Sequence, residues 1–147
     1  MAAVRTARSV WTGSVTEGGG KVTAVTSGTF TDLDVTLPTR SGEEAQGNTS
    51  PEELIAAAHA SCYSMALSAG LTRAGTPPDI LQVSASVTFD MVDGAPTVTT
   101  SVLSVSGSVP GVTTEEFAEA AETAKNGCPI SRALAGVEIS LESVSLD

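Results

Sequence analysis

Two cysteines and one histidine are the residues of this chain best suited to chemistry. Cys62 and His59 lie in SPEELIAAAHASCYSMALSAG (Ser50–Gly70), a stretch that opens on a strong helix-start signal and is apolar nearly all round. A thiol becomes a good nucleophile only as thiolate, and burial among alanines opposes ionisation. A cation must therefore offset burial, and the chain offers only seven Lys and Arg. Arg40 stands at the entrance of the loop that leads into this helix and is the natural candidate. Cys128 lies in NGCPIS, a helix-end signal followed at once by a helix-start signal. At or near an N-cap its sulfur would face free backbone N–H groups and the positive dipole end, which lowers a thiol pKa.

Each of these residues also has a plainer reading. Cys62 can be an inert small hydrophobe, since free cysteine is among the most buried residue types. Cys128 can be a cap of convenience. His59 precedes Cys62 by three positions, on nearly the same helix face, so a His-x-x-Cys half-site is imaginable. One histidine and two cysteines supply no ligand cluster, so no metal site is expected and His59 reads as a core or interface residue. Glu52 and Glu53 read as helix-start residues. The triple Gly18–Gly20 reads as a hairpin turn, because no phosphate-loop or dinucleotide fingerprint occurs.

The elements that must position these groups follow from pattern. Arg8–Val15 and Lys21–Ser27 are expected to form a hairpin, and the alternation of Leu33, Val35 and Leu37 gives a third strand over 32–37. Ser41–Thr49 is polar and aperiodic, hence a loop. Ser50 as N-cap, Pro51 at N1 and Glu53 at N3 form a capping box, and the helix should run to about Ala74, where Gly75 and Pro77-Pro78 stop it. Leu81–Phe89 alternates as a half-buried strand, Asp93-Gly94 turns, and Thr97–Ser106 pairs back. Thr113 with Glu116 starts a second helix closed by Asn126-Gly127. Pro129–Ala135 is a short further helix, and Val137–Leu141 is a last strand with Glu138, Ser140 and Glu142 facing water.

Strands, long helix, strands, helix and strand make an α+β fold with antiparallel sheets packed on the helices. No linker interrupts the 147 residues, so a single domain, 1–147, is expected. A net charge of −10 argues against nucleic acid as a partner. No secretory signal is visible. The apolar run Leu54–Leu71 approaches bilayer length, but His59, Ser61, Ser64 and Ser68 interrupt it, so no membrane role is expected. A cytoplasmic location follows as the default, and there two cysteines are not expected to form a static bridge.

One inference concerns assembly. On a straight helix, ten residues at about 1.5 Å each put Glu52 and Cys62 about 15 Å apart. They cannot share a site within one chain unless the helix breaks. The alanines at 56, 57, 58, 60 and 66 would let a second copy pack closely, so a two-fold homodimer with sites at its interface is expected.

The segment SPEELIAAAHASCYSMALS resembles the first-cysteine helix of the OsmC/Ohr family of organic hydroperoxide reductases, and AKNGCPIS resembles its second-cysteine segment. Trp11-Thr12-Gly13, the arginine before the loop, and VTFD followed by a VPG segment extend the likeness over nearly the whole chain. PEELIAAAHA, and an arginine after the third strand instead of in the first hairpin, are similar to the OsmC branch. Ser50 departs from the family's usual Asn, and Tyr63 stands where Phe is common.

The resemblance implies an intertwined homodimer with sheets packed on a long central Cys-bearing helix and a second helix. It implies thiol-dependent reduction of organic hydroperoxides, and to varying degrees of hydrogen peroxide. Carried over by position, Cys62 is the peroxidatic cysteine and Cys128 the resolving one. Arg40 stabilises thiolate and peroxide oxygens, and Glu52 orients Arg40. The reductant is a dithiol of the lipoyl type, and no cofactor is required. The competing reading is a redox sensor, or a binding protein for a lipophilic ligand, that keeps the fold without turnover. The two cysteines are remote in sequence, so the sequence leaves open whether they meet.

Overall fold

The computed structural model describes all 147 residues. They form an α+β structure of two three-stranded sheets and four helices. The chain divides into two compact units, Met1–Leu54 and Ile55–Asp147.

In the first unit β1 (Ala7–Thr12), β2 (Gly19–Ala24) and β3 (Leu33–Val35) pair antiparallel in chain order. The expected hairpin is present, with Trp11 opposite Gly20. That glycine is required: a Cβ there would lie 2.8 Å from Val35 Cγ2 and 2.9 Å from the Trp11 ring. The indole N–H donates to the Gly13 carbonyl at 3.0 Å, which fixes the ring's direction.

The strand expected over 32–37 is cut short at Val35, because Leu37–Ser41 forms a short helix, α1. Thr36 is its N-cap, accepting from the Thr39 N–H, and Pro38 occupies the first turn. Arg40 therefore sits in the last turn of a short helix, directly before the loop that leads into α2.

Helix α2 runs unbroken from Pro51 to Arg73. Ser50 caps it by accepting from the Glu53 N–H at 3.1 Å, but the return arm differs from expectation. The Glu53 carboxylate accepts from the Thr49 hydroxyl at 2.6 Å instead of closing on Ser50. The helix stops where expected, at a Gly75 with φ +86°. By length and composition α2 could cross a membrane. Its buried positions His59, Tyr63, Leu67 and Leu71 follow one another every four residues, and the last three belong to the core of the second unit.

That unit holds β4 (Ile80–Val92), β5 (Ala95–Ser108), α3 (Thr114–Gly127), α4 (Pro129–Ala133) and β6 (Glu138–Leu146). β4 and β5 form a long hairpin, with Asp93 and Gly94 both at positive φ in its turn. β5 is central and pairs with β6 in parallel, which corrects the expectation of purely antiparallel sheets. Parallel neighbours need a crossover, and α3 and α4 supply it. β6 is also longer than its alternation suggested, and Ser140 is half-buried instead of facing water. The capping box of Thr113 and Glu116 starts α3 as expected. The core gathers Tyr63, Leu67 and Leu71 with Leu103, Val105, Phe117 and Ala121. Tyr63 is fully buried yet satisfied, donating to the Ala121 carbonyl at 2.9 Å.

Candidate active site

Cys128 is both the last residue of one helix and the first of the next. Its N–H donates to the Ala124 carbonyl at 2.9 Å, closing α3, and Pro129 then forbids continuation. The backbone at Cys128 is extended (φ −61°, ψ 126°), as the residue before a proline must be, and it serves as N-cap of α4. The helix ends at Gly127, as Asn126-Gly127 suggested, but Gly127 is not at positive φ, and Pro129 makes the stop.

This turn brings the fully buried Cys128 against Cys62, which is half-buried in mid-α2. The two residues approach to 3.3 Å, and both are free thiols. Their environments differ. Burial pushes the Cys62 thiol up; the Ile130 N–H opposes this, while the hydrogen bond to Cys128 and its charge add to the rise. Burial would raise Cys128 too, but hydrogen bonds from the Ser131 N–H, Cys62, the Ser131 hydroxyl and the Ile130 N–H outweigh it, and the thiol is lowered. Of the two thiols, Cys128 is the more readily ionised.

His59 lies one helical turn before Cys62 and is fully buried. Nδ1 is 2.7 Å from Ser101 Oγ on β5, and Nε2 is 2.8 Å from Ser131 Oγ on α4. Burial lowers its pKa, so it is held as neutral imidazole. No group of metal-ligating side chains surrounds it. Ser131 and Ser101 went unnoticed in the sequence. The one local signal was the position of Ser131 in the first turn of the helix that Cys128 starts.

Arg40 and Glu52 form the other pairing, within the first unit. Arg40 Nε is 3.2 Å from both carboxylate oxygens and its terminal nitrogen 2.7 Å from Oε1. The Glu52 side chain is 7% exposed and that of Arg40 31%. Glu52 also lies in the first turn of α2, where the dipole favours its charge. Beside the guanidinium opens a cleft of about 360 Å³, lined by Trp11, Val15, Val22, Val35 and Leu54. It is an apolar recess with one cation at its edge.

The sequence model for OsmC-like proteins matches residues 42–142, which include both cysteines and Glu52. The chain belongs to the OsmC-like family. Across this family the peroxiredoxin OsmC of Escherichia coli (strain K12) is 39% identical over 132 residues, covering 90% of each chain. An organic hydroperoxide resistance protein from Elizabethkingia anophelis, solved with crystallant-derived thiocyanate bound, has the OsmC-like fold at a TM-score of 0.70, with 27% identity and all of both chains covered. The organic hydroperoxide resistance protein OhrB of Bacillus subtilis superposes at 0.69 with 25% identity, covering 94% of this chain and 97% of its own.

Proposed function

We propose that the protein is a two-thiol peroxidase that reduces organic hydroperoxides to alcohols. The observation that carries this is the pair of free thiols at 3.3 Å, close enough to bond with little movement. The relatives named for peroxide chemistry support it.

In this reading Cys62 is the attacking sulfur, since it is the less buried of the two. A guanidinium brought up to Cys62 favours its thiolate while Cys128 keeps its proton. The Cys62 thiolate then attacks one peroxide oxygen; an S–O bond forms, the O–O bond breaks, and the departing alkoxide takes the proton from Cys128. Arg40 stabilises the charge developing on that oxygen. The Cys128 thiolate attacks the Cys62 sulfenic acid, forming the disulfide and expelling hydroxide. A dithiol reductant of the lipoyl type restores both thiols by exchange. Glu52 holds Arg40 in orientation by the forked contact. The cleft of Trp11 and Leu54 receives the alkyl group, which favours organic peroxides over hydrogen peroxide.

The active form in this proposal is a homodimer. Glu52 and Cys62 stand ten residues apart on an unbroken helix, about 15 Å, so Arg40 and Glu52 would serve the thiols of a second copy. Ala58, Ser61, Met65 and Ala69 leave a small-residue and apolar stripe of α2 exposed, and every residue of β1 is exposed, Val10 and Trp11 included. Such surfaces fit a close two-fold contact.

Consumption of cumene hydroperoxide with dihydrolipoamide tests the proposal. Many turnovers, abolished in Cys62→Ser, are expected. Oxidation that stops after one equivalent would favour a redox sensor instead, and binding of a lipophilic alcohol without oxidation would favour a carrier. Sedimentation as a monomer at micromolar concentration would remove the shared-site arrangement.

A further inference from the structure

On α2, two fully buried polar side chains bracket Cys62: His59 one turn before it and Tyr63 directly after it. Each reaches a different helix. The Tyr63 hydroxyl donates to the Ala121 carbonyl of α3 at 2.9 Å, and His59 Nε2 lies 2.8 Å from Ser131 Oγ of α4. α3 ends and α4 begins at Cys128. Ala121 stands two helical turns before that cysteine, and Ser131 lies in the first turn after it. The bend that carries the second thiol is therefore tied to α2 on both of its sides, by bonds that leave α2 on both sides of Cys62. The far edge of the imidazole is held as well, with Nδ1 2.7 Å from Ser101 Oγ on β5, so the ring is fixed at two points.

Packing alone does not set the spacing of α2 and α3 beside the thiols. The facing residues are small, Ala66, Ala69 and Gly70 on α2 with Ala120, Ala124 and Gly127 on α3, and they leave a cleft of about 420 Å³. Small side chains beside open space offer little resistance to one helix sliding on the other. A hydrogen bond from a rigid ring fixes both a distance and a direction. The Ala121 carbonyl lies inside α3, where the helix already supplies it with an N–H donor, so the Tyr63 bond uses its second lone pair. Satisfying that carbonyl does not require the phenol. A phenylalanine would fill the same space without burying a hydroxyl. What the hydroxyl adds is a tie between two helices.

We propose that His59 and Tyr63 are positioning residues, a two-point clamp that sets the approach of Cys128 to Cys62 and so the speed at which the two sulfurs close into a disulfide. Neither residue touches a substrate. Closure is the step they govern, because the attacking sulfur must reach its target in line with the bond being broken. The consequence for turnover, capture of a Cys62 sulfenic acid before a second peroxide arrives, rests on the peroxidase reading; the clamp itself does not.

The test needs no peroxide. The reduced full chain is mixed with excess dithiodipyridine and the release of thiopyridone is followed. The Cys62 thiolate attacks the reagent, forming a mixed disulfide and expelling one thiopyridone. The Cys128 thiolate then attacks the Cys62 sulfur, forming the protein disulfide and expelling the second. Cys128→Ser should give the first release alone, which marks the second as closure. The second rate is read on its alkaline plateau, where Cys128 is fully thiolate, so that ionisation does not enter. In Tyr63→Phe this plateau is expected to fall about tenfold while the first release stays within about twofold, the pattern of a misplaced attacking group. Ser131→Ala, which removes the partner of His59, should slow closure in the same way, and Ser131→Thr, which restores the hydroxyl, should return it. Folding is checked by circular dichroism; if Ser131→Ala does not fold, Tyr63→Phe decides alone. An unmoved plateau in either folded variant, or equal slowing of both releases, overturns the proposal. Cumene hydroperoxide turnover by the unaltered protein is measured separately. Absent turnover, with closure slowed as expected in the variants, would sink the peroxidase reading and leave the clamp standing.

Discussion

Cys62 and Cys128, 66 positions apart in the chain, come within 3.3 Å of each other. A disulfide needs its sulfurs at about 2.05 Å. Bond closure from this approach calls for side-chain rotation and a small shift of α4.

This leads to the first expected result. Treatment of the reduced protein with one equivalent of cumene hydroperoxide should give an intramolecular Cys62–Cys128 disulfide, read by peptide mapping without reduction. Cys62→Ser should lose peroxide consumption by at least about a hundredfold. Cys128→Ser should accumulate sulfenic acid, trappable with dimedone, and then over-oxidise at excess peroxide. Linkage only between different chains would contradict the geometry.

The forked contact of Arg40 on Glu52 is geometric as well as electrostatic. Arg40→Lys keeps the charge but cannot hold both carboxylate oxygens in one plane. Its kcat/KM for cumene hydroperoxide is expected to fall by about 10- to 100-fold, corresponding to about 1.4–3 kcal/mol. Glu52→Gln should fall in the same direction, and both should retain far-ultraviolet circular dichroism. Unchanged kinetics in both would remove the pair from the site.

His59 makes stability depend on pH. Its folded pKa is depressed from 6.5 by burial, so the unfolded chain takes up a proton that the folded protein refuses. Its contribution is fully present above pH 6.5 and is lost as pH falls below that value towards the depressed folded pKa. Urea midpoints should therefore be lower at about pH 5 than at about pH 8, and His59→Gln should flatten this acid limb. An equally steep limb in His59→Gln would assign it to other groups.

Trp11 is the only tryptophan and lines the apolar cleft beside Arg40. Gly20→Ala would force its ring aside, because the new Cβ would meet the ring at 2.9 Å. A shifted tryptophan emission is expected, together with a raised KM for cumene hydroperoxide and a smaller change for hydrogen peroxide. Equal effects on the two peroxides would show that the cleft does not select the alkyl group.

Local signals located most of this architecture in advance. The α2 start was legible because Ser50, Pro51 and Glu53 each satisfy a separate need of a helix end, and the α3 capping box likewise. Helix α1 was missed because Leu37 continued the strand alternation, which hid the Thr36-Leu37-Pro38 helix start. The parallel pairing of β6 was not legible: strand order depends on contacts remote in sequence, and Glu138–Leu141 alternates the same way in either direction. At the site, the N-cap placement of Cys128 followed from NGCPIS alone. The Arg40–Glu52 pair was expected only through family resemblance. The bonds of His59 to Ser101 and Ser131 join residues 42 and 72 positions apart, a separation at which single residues carry no pattern.

The crossover between β5 and β6 has a mechanical meaning. Both its ends are stitched into one sheet, and the second thiol hangs between them on a bend that Pro129 makes rigid. A sulfur tethered in this way has little freedom to swing clear of its neighbour. Bond closure becomes a matter of local breathing and not of refolding, so the oxidised intermediate would survive only briefly before it is captured. Clipping the carboxyl-terminal strand should loosen that tether and lengthen the exposure of the oxidised sulfur to a second peroxide.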